Sequence, residues 1–105
     1  MAKAGRRERR AVTLDEVFEA VCAQLDITEK ALAAPGKGRP GSQARALIAW
    51  GVRQLPELSL QEAAQRLGRD ISSLSAAATR LERRVQEDSE LKRIVAELKA
   101  DFQIA

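Results

Sequence analysis

Between Leu67 and Leu74 the chain runs Leu-Gly-Arg-Asp-Ile-Ser-Ser-Leu, setting a cation, a carboxylate and two hydroxyls side by side behind a glycine. Gly68 supplies a backbone-permissive position just after a short apolar-periodic segment. Asp70 is a good N-cap for a helix beginning at the next residue, so Ile71, Ser72 and Ser73 fall in the first helical turn. Short hydroxyls at that place can reach base edges or phosphates, and a carboxylate can accept from a cytosine amino group. Arg69, just before the cap, adds a cation for a phosphate. This is the chemistry of recognition, not of bond making. The spacing reads as the tight turn and second helix of a helix-turn-helix, and the partner it implies is double-stranded DNA.

Reactive chemistry is thinly provided. The sequence has no histidine and no tyrosine, which removes histidine-based triads, tyrosine nucleophiles and HExxH zinc sites. Cys22 is the single cysteine and lies on an apolar stripe, where it reads as a small core residue; it can form neither a zinc finger nor an internal disulfide. The carboxylate pairs Asp15/Glu16 and Glu87/Asp88 sit in a helix's opening turn and at a helix junction, where acids are favoured electrostatically. The stretch Lys37-Gly38-Arg39-Pro40-Gly41 lacks the spacing and the preceding strand of a phosphate-binding P-loop. It reads either as an ordinary flexible connection or as a basic arm reaching into a DNA groove. The expectation is a non-enzyme with no cofactor, no metal and no small-molecule substrate.

The elements that must position these residues are helical. Ala and Leu are abundant, Trp50, Phe18 and Phe102 are the only aromatics, and no segment alternates with a strand's period. Thr13-Leu14-Asp15-Glu16 is a capping-box start for a first helix carrying Leu14, Val17, Phe18, Val21, Cys22 and Leu25. Thr28 caps a short helix through Leu32, stopped by Pro35-Gly36. After the basic loop, Ser42 is expected to cap a third helix with the stripe Ala44, Leu47, Ile48, Gly51 and Leu55, flanked by Trp50 and Val52 and ended by Pro56. Ser59-Leu60-Gln61-Glu62 is a second capping box, leading to Leu60, Ala63, Ala64 and Leu67. The helix from Asp70 carries Leu74, Ala77, Ala78, Leu81 and Val85 on one face. A last one carries Leu91, Ile94, Val95, Leu98 and Phe102. The fold class is therefore all-α, a compact helical bundle of about five to six helices containing the helix-turn-helix.

Charge is unevenly spread along 105 residues whose net charge is only +3. Residues 1–10 carry +4, 11–34 carry −4, 35–84 carry +5 and 85–105 carry −2. The basic middle coincides with the suspected motif, as an electrostatic footprint on phosphates requires. Residues 1–11 read as a basic, core-free, disordered arm, and 12–105 as one DNA-binding domain. No apolar run suits a membrane span, the charged N-terminus has no apolar segment behind it, and one cysteine suits a reducing compartment. A cytoplasmic, nucleoid-associated protein is expected, with its oligomeric state open and a monomer sufficient.

Three stretches resemble a known family. Ala44-Arg45-Ala46-Leu47-Ile48-Ala49-Trp50 is similar to an A-R-x-I-A-x-Y helix. Leu58-Ser59-Leu60-Gln61-Glu62-Ala63-Ala64 is similar to a scaffold helix, and Gly68-Arg69-Asp70-Ile71-Ser72-Ser73-Leu74 to G-R-D-H-S/T-T-V. These are motifs of the C-terminal DNA-binding domain of the bacterial replication initiator DnaA, and of the DnaA-like tail of REP-associated, transposase-related proteins. The resemblance implies that Asp70 and Ser72 face bases in the major groove with Ser73 near a phosphate. It also implies that Arg39, with Lys37 second, enters the minor groove, that Arg45 holds a phosphate, and that Gln61 lies near the major-groove edge. The chain departs from the initiators in having Ile71 and Ala76 where they have histidines, and one residue fewer before Gly68. Both changes resemble the transposase-related branch. Ile71 cannot hydrogen-bond but can pack on a thymine methyl.

The alternative to a sequence-preferring DNA binder is a non-catalytic helical protein–protein adaptor, whose apolar faces and mixed charge serve protein contacts. An adaptor has no use for a capped turn with exposed hydroxyls beside a basic segment.

Overall fold

The computed structural model describes residues 11–33 and 39–104, which form six helices and, among the described residues, no strand. They are α1 (Leu14–Leu25), α2 (Glu29–Ala33), α3 (Arg39–Gln54), α4 (Leu60–Leu67), α5 (Ile71–Val85) and α6 (Ser89–Phe102). The all-α bundle expected from the apolar periodicities is what the chain forms. Lys37 and most of the N-terminal arm lie outside the described residues.

Five of the helices start where a side chain satisfies an orphan N–H group of the first turn. The α1 capping box is complete: the Thr13 hydroxyl accepts from Glu16 N at 3.1 Å and the Glu16 carboxylate accepts from Thr13 N at 2.9 Å. Thr28 Oγ1 accepts from Ala31 N at 3.2 Å at the head of α2. Ser59 supplies the forward half of the second box, accepting from Glu62 N at 3.4 Å. Asp88 caps α6 through Leu91 N at 3.0 Å.

The start of α3 corrects the sequence expectation. The helix begins at Arg39, so Arg39, Pro40 and Gly41 belong to its first turn and not to a loop, and Ser42 lies inside the helix. Proline suits that place because its fixed φ is already helical and its missing N–H would have had no partner. Gly41 is close to α2: a Cβ there would stand 3.4 Å from the Arg45 guanidinium and 3.8 Å from the Ala31 carbonyl oxygen.

α3 is the central element. Ala44, Ala46, Leu47, Ile48, Ala49, Trp50 and Val52 are all buried, so the helix is apolar nearly all round rather than along the single stripe its spacing suggests. It packs most extensively on α5 and next on α1, with α2 and α4 also against it. Gly51 permits the close approach of Phe102 from α6, since a Cβ there would meet its ring at 3.2 Å. The core that results is one contiguous cluster from Val12 to Phe102. Burying a side chain such as Leu47 or Phe102 stabilises by about 1.5–3 kcal/mol on transfer grounds alone.

α4 ends in a Schellman motif. Gly68 adopts φ 65°, ψ 36°, its N–H bonds to the Gln65 carbonyl at 3.2 Å, and Arg69 N bonds to the Ala64 carbonyl at 2.9 Å. Only Gly68, Arg69 and Asp70 separate α4 from α5. This short connection, with both helices packed on α3, fixes where the first turn of α5 points.

Candidate nucleic-acid interface

The first turn of α5 is held from below and bare above. Asp70 adopts extended backbone dihedrals, and its Oδ2 accepts from Ser73 N at 3.2 Å while its carbonyl accepts from Leu74 N at 3.1 Å. The cap therefore uses one carboxylate oxygen. Leu74, Ala78 and Leu81 bury one face of α5. At about 100° per residue the opposite face carries Ser72, Ala76, Thr79 and Arg83, all exposed, with Ser73 and Arg80 beside them. Ile71, the first helical residue, is 43% exposed and is the one exposed large hydrophobic among the described residues. The N-terminal half of this face has only small side chains around Ile71, so a partner can come close to the helix backbone.

The other residues singled out by the sequence fall around this face in different states. Gln61 is exposed in the first turn of α4. Arg69 is half-buried in the turn. Arg45 is also half-buried, with Nη1 donating to the Leu32 carbonyl at 3.0 Å, so it closes the C-terminal end of α2. Partial burial lowers the pKa of its guanidinium, and the nearby charge of Arg69 lowers it further. Arg45 and Arg69 thus share one positive region where α2, α3 and the turn meet. Arg39 heads α3.

Two arginines escaped the sequence reasoning. Arg53, near the end of α3, donates through Nη1 to the Ser75 carbonyl and to Thr79 Oγ1, both at 3.1 Å, and so lies along the exposed edge of α5. The available signal was its place on α3 opposite the core stripe, which says nothing about α5 until the two helices are docked. Arg66, on α4, forms a bidentate pair with Glu29 at 2.7 and 2.8 Å and reaches Asp15 at 2.6 Å. Its guanidinium stacks 4.2 Å from the centre of the Phe18 ring. These bonds raise the Arg66 pKa and hold the Glu29 carboxyl below the usual carboxylate range. Arg66 is a brace across α1, α2 and α4, and its charge is engaged there.

No group of His, Cys, Asp or Glu able to hold a metal occurs among the described residues. The half-buried Cys22 thiol is pushed up by burial, then by Glu29, which keeps it protonated and a poor nucleophile. No helix among the described residues is long and apolar enough to cross a membrane.

No family model matches the chain. Over 95 residues it is 28% identical to the chromosomal replication initiator protein DnaA of Wolinella succinogenes, a match that takes in 90% of this chain. It resembles part of DnaA. A match of that length must include α1 to α5, whichever end is left out. The chain spans 22% of that relative's length.

Proposed function

We propose that this chain is a sequence-preferring double-stranded DNA-binding domain, with α4, the Gly68-Arg69-Asp70 turn and α5 acting as a helix-turn-helix. The observation that carries this reading is the first turn of α5. A bare face of Asp70, Ile71, Ser72 and Ser73 projects from a helix whose other face is locked on α3. Asp70 keeps a carboxylate oxygen beyond the one that caps the helix, available to a cytosine amino group, and Ser72 can donate or accept. Ser73 and Arg69 suit phosphates, Gln61 the groove edge, and Arg45 a phosphate next to the positive region it shares with Arg69. Lys37 and Arg39 form a basic segment suited to a minor groove, where negative potential favours arginine.

The likeness to part of a chromosomal replication initiator supports a DNA partner. We read the chain as the DNA-targeting module of a replication-initiator-like or transposase-related protein. The module is non-catalytic, works without cofactor or metal, and acts in the cytoplasm on the nucleoid, with residues 12–105 as its folded part.

Anisotropy titration of a labelled random duplex at two salt concentrations, followed by sequence selection, tests the function. Binding that falls steeply with salt and enriches one sequence is the expected result. Failure to bind at low salt, or binding without enrichment, overturns it. Arg39→Ala should weaken binding most on sites flanked by an A·T run; an equal loss on G·C-flanked sites removes the minor-groove assignment.

A further inference from the structure

We infer that the C-terminal half of α5 is a second phosphate-binding surface, formed by Arg80, Arg83 and Arg84, which grips the backbone of the duplex whose bases meet the N-terminal half. This rests on the proposed reading of α5 and extends it to residues that neither the motif nor the likeness to DnaA assigns.

The three guanidinium-bearing side chains line one shallow cavity, with Glu87 as its acidic wall. The Arg80 and Arg83 side chains are exposed and make no hydrogen bond or ion pair among the described residues. Arg84 has only a long contact from Nη2 to the Gln43 side chain, at 3.5 Å. That contact places Arg84 beside the second turn of α3. Arg83 and Arg84 in a last turn also suit the negative end of a helix, but that effect is small and needs no cluster. Arg80 lies outside the last turn and gains little from it.

Distance along the helix decides what these charges can reach. At 1.5 Å per residue, Arg80 stands about 12 Å and Arg83 about 16 Å beyond Ser72, and Arg83 points within about 20° of the same direction. The major groove is about 12 Å wide. With α5 lying across the groove and Ser72 at a base edge, Arg80 comes level with the sugar–phosphate wall, turned about 80° from Ser72, and Arg83 reaches just past it. Small side chains enter the groove and long cations meet its rim, so the two halves of α5 suit the two parts of one duplex.

The test uses the full chain with Arg80 and Arg83 both changed to Gln, titrated against a preferred and a scrambled duplex between 50 and 200 mM salt. Losing two phosphate contacts should make the slope of log affinity against log salt shallower by about 1.8. Affinity should drop by a similar factor on both duplexes, while the preferred sequence and the melting temperature stay unchanged. The same positions changed to Lys should restore the slope. An unchanged slope overturns the surface, as does a loss confined to the preferred duplex, which would make these residues base readers. Absence of binding by the wild-type chain at low salt overturns the DNA-binding reading itself. Binding by the wild type to an acidic peptide but not to DNA does the same.

Discussion

Arg53 of α3 donates to Thr79 Oγ1 of α5 at 3.1 Å, and Thr79 donates in turn to the Ser75 carbonyl at 3.1 Å. Gln43, at the other end of α3, meets Arg84 at the other end of α5, so the two helices run antiparallel with a polar contact near each end of their shared apolar seam. The seam sets how deeply α5 sits. The polar contacts limit how far it can roll, and roll decides whether Ser72 or a neighbour leads.

A cation at this edge is placed for a phosphate as well as for Thr79. Arg53→Ala should make the salt dependence of duplex binding shallower by about one phosphate contact, a slope change of about 0.9. Arg53→Lys should keep that slope yet lose the paired donation to Ser75 and Thr79. Thr79→Val should leave the slope alone and lower stability by about 1 kcal/mol or less. Salt titrations and thermal melts of the three variants check this, and a full slope in Arg53→Ala would confine Arg53 to a structural part.

Arg66 should matter for stability and not for DNA. Replacing it with Met removes the pairs to Glu29 and Asp15 and the stacking on Phe18, a loss of about 1–2 kcal/mol, because each partly exposed interaction is worth only a fraction of that. The Glu29 carboxyl is held below its ordinary value of 4.5 by the bonds from Arg66. Its contribution is therefore complete above pH 4.5 and fades as pH falls through the lower folded value. Melting temperatures measured from about pH 7 down to about pH 3 should show this acid loss in the wild type and a flatter profile in Glu29→Gln. Parallel profiles would remove the pair as its cause.

Much of this architecture is legible before folding is considered. Thr13, Ser59, Asp70 and Asp88 each stand directly before an apolar periodic run, and the helices start there because local bonds decide helix ends. Residues 39–41 misled for a related reason. Gly and Pro punctuate loops in general, yet Pro40 in a first turn carries no penalty, and Gly41 sits beside α2 at ordinary van der Waals spacing, a placement that only tertiary packing reveals. The all-round burial of α3 is equally invisible in a stripe of five residues, since Trp50 and Val52 flank that stripe and are buried only once other helices dock. At the candidate interface, the Gly68 turn and the Asp70 cap could be read from their spacing. Arg53 and Arg66 could not, because their partners lie 22 to 51 residues away.

Asp70 both ends the turn and faces outward, and two substitutions separate those parts. Asp70→Asn keeps an oxygen for Ser73 N while changing the charge and adding a donor. If Asp70 reads a base, sequence selection should return a different base at one position, with discrimination altered by about 1–3 kcal/mol, and the melt should hardly move. If it only caps, preference should stay fixed in both Asp70→Asn and Asp70→Ala, and the alanine variant alone should lose about 1 kcal/mol of stability.

Ile71 gives the most selective test, because an isoleucine can distinguish bases only by shape and apolar contact. It is 43% exposed in the first turn of α5, between the capping carboxylate and the Ser72 hydroxyl. The apolar group that the major groove offers is the thymine C5 methyl, and deoxyuridine removes it while leaving every hydrogen-bonding atom in place. One thymine of the preferred site, replaced by deoxyuridine, should therefore weaken wild-type binding several-fold, the order expected for about 0.8 kcal/mol per methyl group buried. Ile71→Ala should bind the thymine site more weakly and lose its sensitivity to that replacement, so the two changes together should cost less than their sum. Additive losses would show that Ile71 and the methyl act separately. Equal binding by wild type to every singly substituted duplex would leave base reading to Asp70 and Ser72, with Ile71 an exposed apolar residue and nothing more.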